Sequence, residues 1–255
     1  MNNNLTEKKF WSDIQENIKL PITVDLKRTP AFIKIDKVFK KYLPKNSDFK
    51  FLEIGCSPGR WLIYFNNEFN YQITGVEYTE IGAKLSRENL KTSNIAGNML
   101  NEDIFRASLP KESFNVVFSY GFLEHFQDSE NVIKTHWNLI KKGGYIILII
   151  PNFKNSINYL VQRLIDKENI KKHKLISAEN LKEYFNNSIA DGEILFSGYA
   201  GIYYPWVINI SKLHGAKYKI FDFLAKYSQA AIRRLKIQKE TKFFSPYAIL
   251  IARKY

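Results

Sequence analysis

The chain has 255 residues, 45% hydrophobic and 25% charged, which supports one sizeable folded core and argues against a disordered or fibrous chain. Its single cysteine, Cys56, excludes an internal disulfide framework, the polar start Met1-Asn-Asn-Asn4 lacks a signal-peptide core, and the longest apolar run, 145–151, is too short to span a bilayer; the expected location is the cytoplasm, at most peripheral to the inner membrane face. The net charge of +13 favours anionic partners, although a Lys- and Asn-rich bias accounts for it equally well.

Residues 1–46 read as amphipathic helices. Phe10, Trp11, Ile14, Ile18 and Leu20 recur at helical spacing until Pro21, and Pro30 opens a second helix over 31–43 with Phe32, Ile35, Val38, Phe39 and Tyr42 on one face. These helices are expected to cap the site that follows. Strand and helix signals then alternate: strand 49–54, helix 59–69, strand 71–78, helix 79–90, short strand 98–100, strand 114–119, helix 129–141 stopped by Gly143-Gly144, and the continuously apolar strand 145–150. The alternation predicts an α/β fold with a doubly wound, mostly parallel sheet covered by helices on both faces.

After Pro151 come a helix over 157–167, the basic patch Lys171-Lys-His-Lys174, a helix to about 187 capped by Ser177, and strands over 194–197 and 247–252. Between those strands lies an insertion, 199–242, too long for a plain loop. In it Tyr203, Tyr204, Trp206, Tyr218, Phe221, Phe223 and Tyr227 interleave with Lys212, Lys217, Lys219, Lys226, Arg233, Arg234 and Lys236. The expected organisation is one domain over 1–255: a helical cap (1–46), a ligand-binding core (47–152), substrate-side insertions (153–242) and a last strand (243–255).

The segment Phe49-Lys-Phe-Leu-Glu-Ile-Gly-Cys-Ser-Pro-Gly59 carries the main functional signal. A strand, a glycine turn and a helix N-terminus make a nucleotide-binding corner. Glu53 at the strand end would repel a pyrophosphate, so Glu-x-Gly-x-x-x-Gly suits a ligand with positive charge, such as an adenosine bearing an amino acid and a sulfonium. Glu77, with Tyr78, lies close to twenty residues after Gly59, the spacing at which a carboxylate accepts from two ribose hydroxyls. Asp103 can accept from an adenine amino group while Ile104 packs on the ring. Ser119-Tyr120-Gly121 closes the next strand, so all these elements fall at the carboxyl edge of the sheet. Gly-x-Gly-x-x-Gly and Gly-Lys-Ser/Thr are both absent, which disfavours a dehydrogenase and a P-loop enzyme. Cys56 reads as a small residue in a tight turn. No His/Cys/Asp cluster has metal-ligand spacing, so no metal is expected. His136 reads as structural, and His173 and His214 fall in basic patches.

With Glu53-Ile-Gly55-Cys-Ser-Pro-Gly59, Glu77, Asp103-Ile104, Phe114-Asn-Val-Val-Phe-Ser119, Leu123-Glu-His125 and Gly143-Gly-Tyr-Ile-Ile-Leu, the chain resembles the class I S-adenosylmethionine-dependent methyltransferases, in their small-molecule, methyltransferase-11-like branch. The resemblance covers about 49–152 and the final strand. It implies a Rossmann-like seven-stranded sheet with an antiparallel last strand, and S-adenosyl-L-methionine as cofactor, leaving as S-adenosyl-L-homocysteine. Glu53, Gly55, Cys56 and Gly59 would form the cofactor loop, with Glu53 near the methionine amino group. Glu77 and Tyr78 would hold the ribose, Asp103 and Ile104 the adenine, and Ser119, Tyr120 and Gly121 the methionine end. The Asn/Asp-Pro-Pro-Tyr/Phe tetrapeptide of nucleic-acid N-methylases is replaced by Ser119-Tyr-Gly-Phe122, which lowers the weight of a base amine. The expected reaction is in-line methyl transfer to a small-molecule or glycan- or lipid-linked acceptor at oxygen, with His125 the first candidate base and Glu124 the second. An RNA or protein acceptor held by the basic insertion is the alternative, and the oligomeric state is not legible.

Overall fold

A computed structural model describes residues 4–27, 29–235 and 239–255, with the side chains of Trp206 and Arg233 also outside the description; Lys236 of the basic segment thus lies outside the described residues. In chain order the elements are α1 (Lys8–Gln15), α2 (Pro30–Tyr42), β1 (Lys50–Ile54), α3 (Arg60–Phe69), β2 (Gln72–Val76), α4 (Glu80–Thr92), β3 (Asn98–Leu100), β4 (Phe114–Tyr120), α5 (Ser129–Asn138), β5 (Ile140–Pro151), α6 (Ile157–Ile170), α7 (Ala178–Ser188), β6 (Gly192–Ala200), α8 (Gly215–Arg234) and β7 (Tyr247–Lys254).

The strands form one sheet in the order β3-β2-β1-β4-β5-β7-β6. β1 to β5 pair in parallel, and β7 runs antiparallel between β5 and β6. This is the doubly wound, mostly parallel sheet with an antiparallel last strand that the alternation and the resemblance predict. Successive strand residues serve opposite faces. Phe51, Phe118 and Ile147 join Phe39, Trp61 and Phe65 on one side, while Leu52, Val117 and Ile146 join Ile133, Leu181 and Phe185 on the other.

Several boundaries move for identifiable reasons. The helix expected to run to 141 ends at Asn138, and Gly143-Gly144 lies inside β5 instead of stopping a helix. The glycines absorb a register shift between the pairs Phe114↔Ile140 and Val116↔Tyr145. Gly143 has φ +78°, and a side chain at Gly144 would sit 2.7 Å from the carbonyl of Asn115. α1 stops at Gln15, leaving Ile18 and Leu20 outside it, and the sixth strand lengthens to Gly192–Ala200 because its backbone pairs along all of β7. α2 does not roof the site. Its Ala31, Phe32, Ile35 and Phe39 are buried in the core, with Phe39 against Trp61, Phe65 and Phe118.

The long insertion divides in two. Tyr204 packs on Phe32, with ring centroids 5.7 Å apart, and Gln229 Nε2 donates to the carbonyl of Tyr203. α8 buries Ala225 and Gln229 but leaves Ile220, Phe223, Leu224 and Tyr227 between 56% and 65% exposed. Among the described residues no helix is long and apolar enough to cross a membrane.

Candidate active site

Sheet register builds the site. Ile54 pairs with Val76 and Ser119, and Val76 with Leu100. The next residues of each strand therefore leave the sheet together, at the edge where strand order reverses between β1 and β4. A cleft of about 850 Å³, open solvent at its mouth included, lies there, and Gly55, Glu77, Tyr78, Asp103, Ile104, Tyr120, Gly121 and His125 line it.

Glu77 is buried, and its Oε1 accepts from the backbone N–H of Thr79 (3.0 Å) and from the Thr79 hydroxyl (2.8 Å). Asn101 Nδ2 donates to the Glu77 carbonyl (2.9 Å), fixing the start of the following loop. Asp103 accepts from the N–H of Phe105 (3.1 Å), and Ile104 and Phe105 supply apolar walls. Gly55 has φ +71°, and a Cβ there would lie 2.9 Å from the Phe122 ring, so only glycine gives the loop this path.

Four other predicted cofactor residues do not line the cleft. Glu53 shares the sheet face of Phe51 and points beneath α3, where the N–H of Leu62 and the guanidinium of Arg60 draw it. Gly59, the N-cap residue of α3, has no side chain to cap the helix, so the Glu53 carboxyl fills that role. Burial pushes the Glu53 carboxyl well above the usual range, only partly offset by Arg60 and the Leu62 N–H, and its Oε2 is buried without a hydrogen-bond partner. Cys56 turns its thiol into the core, against the spot a Gly75 side chain would occupy, so only its backbone is near the loop path. Gly59 has φ +84° and lets α3 start against Ser86 of α4, 3.5 Å from where its Cβ would be. Ser119 is buried in the sheet.

The opposite wall comes from the N-terminal segment. Asn4, Thr6, Trp11 and Gln15 face the cleft. Leu5 N–H donates to the His125 carbonyl (2.8 Å), Asn4 bridges to Phe126, and Trp11 Nε1 donates to Thr6 Oγ1 (3.1 Å). Trp11 belongs to the apolar stripe visible in the sequence; Asn4 and Thr6 carry no local signal.

Glu124 and His125 sit on a single 3₁₀ turn, Leu123–His125, after β4, both buried. Burial, reinforced by His173 and only partly offset by the hydrogen bond to the Lys172 carbonyl, lowers the His125 imidazole to about 3, so it is neutral in the physiological range. Burial raises the Glu124 carboxyl to about 8. Its Oε1 lies 3.6 Å from His125 Nε2, and its Oε2 has no partner. The His173 ring lies tilted beside His125, with ring centroids 4.7 Å apart. This gathering of Glu124, His125 and His173 has the spacing of metal ligands that the sequence expectation did not find, because His173 lies 48 residues beyond His125. A second cavity lies beyond Trp11 and His125, both of which line it together with Phe10, Phe153, Lys172, His173 and Asn209.

A doubly wound sheet with this strand order, a glycine loop after β1 and acids after β2 and β3 defines the Rossmann-like methyltransferase fold. Residues 52–148 match the sequence model of the methyltransferase domain family. This match and the fold together support a class I S-adenosylmethionine-dependent methyltransferase that uses S-adenosylmethionine as its cofactor. No curated protein sequence matches the chain. Among solved structures, a SAM-dependent methyltransferase from Thermotoga maritima superposes with a TM-score of 0.59 at 17% identity, covering 97% of this chain and 98% of that one. Haemonchus contortus phosphoethanolamine N-methyltransferase 2, in complex with S-adenosyl-L-methionine, gives 0.57 at 16% identity over 86% of this chain and 51% of that one. The [4+2]-cyclase SpnF gives 0.57 at 15% identity over 86% of this chain and 78% of that one. These likenesses are likenesses of fold, and a cyclase among them shows that the fold alone does not name the reaction.

Proposed function

We propose that the protein methylates an oxygen of a small-molecule or lipid-linked acceptor that enters through the second cavity and meets the cofactor at Trp11 and His125. The observation that carries this reading is that these two side chains line both cavities, one the cofactor cleft and one on the side of the insertions. Bound S-adenosylmethionine supplies an activated methyl group and its own leaving group.

The residues present fit that cofactor. Glu77 offers a fixed, buried carboxylate to the ribose hydroxyls, and Asp103 and Ile104 offer an acceptor and an apolar wall to the adenine. Gly55 leaves the loop bare for close approach. The reaction depends on orientation, which the Leu5–His125 and Gln15–Thr79 bonds impose from the N-terminal side. Neutral His125 positions the acceptor through Nε2; its lowered basicity makes it a weak proton store. Glu124 is the stronger base of the pair.

α8 supports a lipid-linked acceptor. Ile220, Phe223, Leu224 and Tyr227 form one exposed apolar stripe, flanked by exposed Lys217, Lys219 and Arg234, the pattern of a helix lying on an anionic membrane face. Transfer of labelled methyl from S-adenosylmethionine to lipid and aqueous cell extracts, with liposome flotation alongside, tests the reading. Label in the lipid fraction and flotation on anionic vesicles support it. Label confined to RNA or protein favours the basic insertion as a macromolecule clamp and sinks it.

A further inference from the structure

We propose that Glu124, His125 and His173 bind a divalent first-row transition-metal ion of the zinc type at the border of the two cavities. The candidate ligand atoms of the three side chains all lie within 4.8 Å of one another. Both imidazoles are held in the orientation that metal binding needs. His125 Nδ1 meets the carbonyl of Lys172 at 2.9 Å, and His173 Nδ1 meets the carbonyl of Asn169 at 2.8 Å. A carbonyl only accepts, so each Nδ1 carries the hydrogen and each Nε2 keeps a free lone pair. Metal-bound histidines are fixed in this way by their other ring nitrogen.

The third group has the same unmet need. Glu124 is 3% exposed, and its Oε2 has no hydrogen-bond partner. Its Oε1 faces His125 Nε2 at 3.6 Å, beyond hydrogen-bond distance. Two imidazoles and a carboxyl gathered within 4.8 Å in a buried place repel unless a proton or a cation lies among them. Two imidazoles and one carboxylate are the ligands of open zinc sites, whose fourth position takes water or substrate. His125 and His173 both line the second cavity, so that fourth position opens toward the side from which the acceptor enters. The neighbouring ammonium of Lys172 is parked over the Phe10 ring, 3.7 Å from its centroid. Metal–ligand bonds of about 2.0–2.2 Å require the three side chains to draw together on binding.

The consequence for catalysis rests on the reading of an oxygen acceptor given above: an ion here would lower the pKa of a bound hydroxyl, so that His125 would reach the acceptor through the ion instead of directly. The site itself is tested without turnover. The full chain, freed of metal with a chelator, is titrated with Co²⁺ followed by its visible absorption, and then with competing Zn²⁺. Saturation at one equivalent, reversal by Zn²⁺, and a loss of at least about tenfold in affinity in both His173→Ala and Glu124→Gln are expected. S-adenosylmethionine binding is measured on the same samples, because His173 does not line the cofactor cleft. Absence of a one-equivalent Co²⁺ complex in the native chain while the cofactor still binds overturns the metal site and leaves the methyltransferase reading standing. Unchanged Co²⁺ affinity in Glu124→Gln, a near-isosteric change whose folding is checked by thermal unfolding, overturns it equally.

Discussion

The Thr79 hydroxyl and the side-chain oxygen of Gln15, 64 positions apart in sequence, are joined by a 2.6 Å hydrogen bond in a buried setting. The same Thr79 donates its backbone N–H to Glu77 Oε1 and holds its hydroxyl 2.8 Å from that oxygen, so the one hydroxyl hydrogen is shared between the carboxylate and Gln15. The N-terminal helix is thus coupled to Glu77, the carboxylate proposed to meet the cofactor ribose. Gln15→Leu should weaken S-adenosylmethionine binding about fivefold, the worth of roughly 1 kcal/mol for a neutral hydrogen bond. Calorimetric titration checks this; unchanged affinity would show that α1 covers the cleft without ordering it.

Removing the carboxylate itself should cost more. Hydrogen bonds to a charged group are worth about 1.5–3 kcal/mol, so Glu77→Ala should reduce cofactor affinity by about tenfold to a hundredfold. Glu77→Gln, which keeps one acceptor oxygen, should fall between. A Glu77→Ala protein that is folded and binds as tightly as the native chain would move the ribose elsewhere.

Gly75 should be intolerant of any side chain. A Cβ there would meet Cys56 Sγ at 2.6 Å, Met99 Sδ at 2.7 Å and Leu62 Cδ1 at 2.9 Å. Gly75→Ala is expected to destabilise the fold by about 1–3 kcal/mol through overpacking, read from urea unfolding. Adding Cys56→Ala should recover part of that loss, because the thiol is the nearest obstacle.

Stability should depend on pH through His136, which is fully buried and whose imidazole burial lowers to about 4. The unfolded chain protonates this residue near its ordinary value, so the stabilising effect is complete above about pH 6.5 and is lost as pH falls toward 4. The full effect is about 3 kcal/mol. His125 titrates in the same direction, so the informative measurement is the difference between the native chain and His136→Gln. Urea unfolding from pH 7.5 to 4 should show a shallower fall in the variant; parallel curves would show that the residue does not titrate as described.

Much of the fold was legible because its signals are local. Pro30 stands at the first turn of α2, Ser177 caps α7 with its hydroxyl, and the apolar run of β5 announces a strand covered on both faces. The acids at 77 and 103 follow their strands at spacings that chain geometry alone imposes. By itself, then, the sequence determined the class of the protein, its sheet and the edge at which the candidate cofactor cleft opens, since period, capping and turn chemistry act over a few residues.

What only the tertiary structure decided depends on contacts between distant segments. Glu53 was legible as an acid, yet its direction follows from strand parity and from where α3 lands, which turns it toward the Leu62 N–H instead of the open cleft. Asn4 and Thr6 have no pattern of their own and become cleft walls because Leu5 hydrogen-bonds the turn carrying His125. Glu124 and His125 are adjacent in sequence, but His173 reaches them only because the end of α6 folds back over that turn and the carbonyl of Lys172 binds the His125 ring. Local rules reach about one helical turn or one strand pair, whereas a buried polar cluster is assembled by packing, and packing is set by the whole chain.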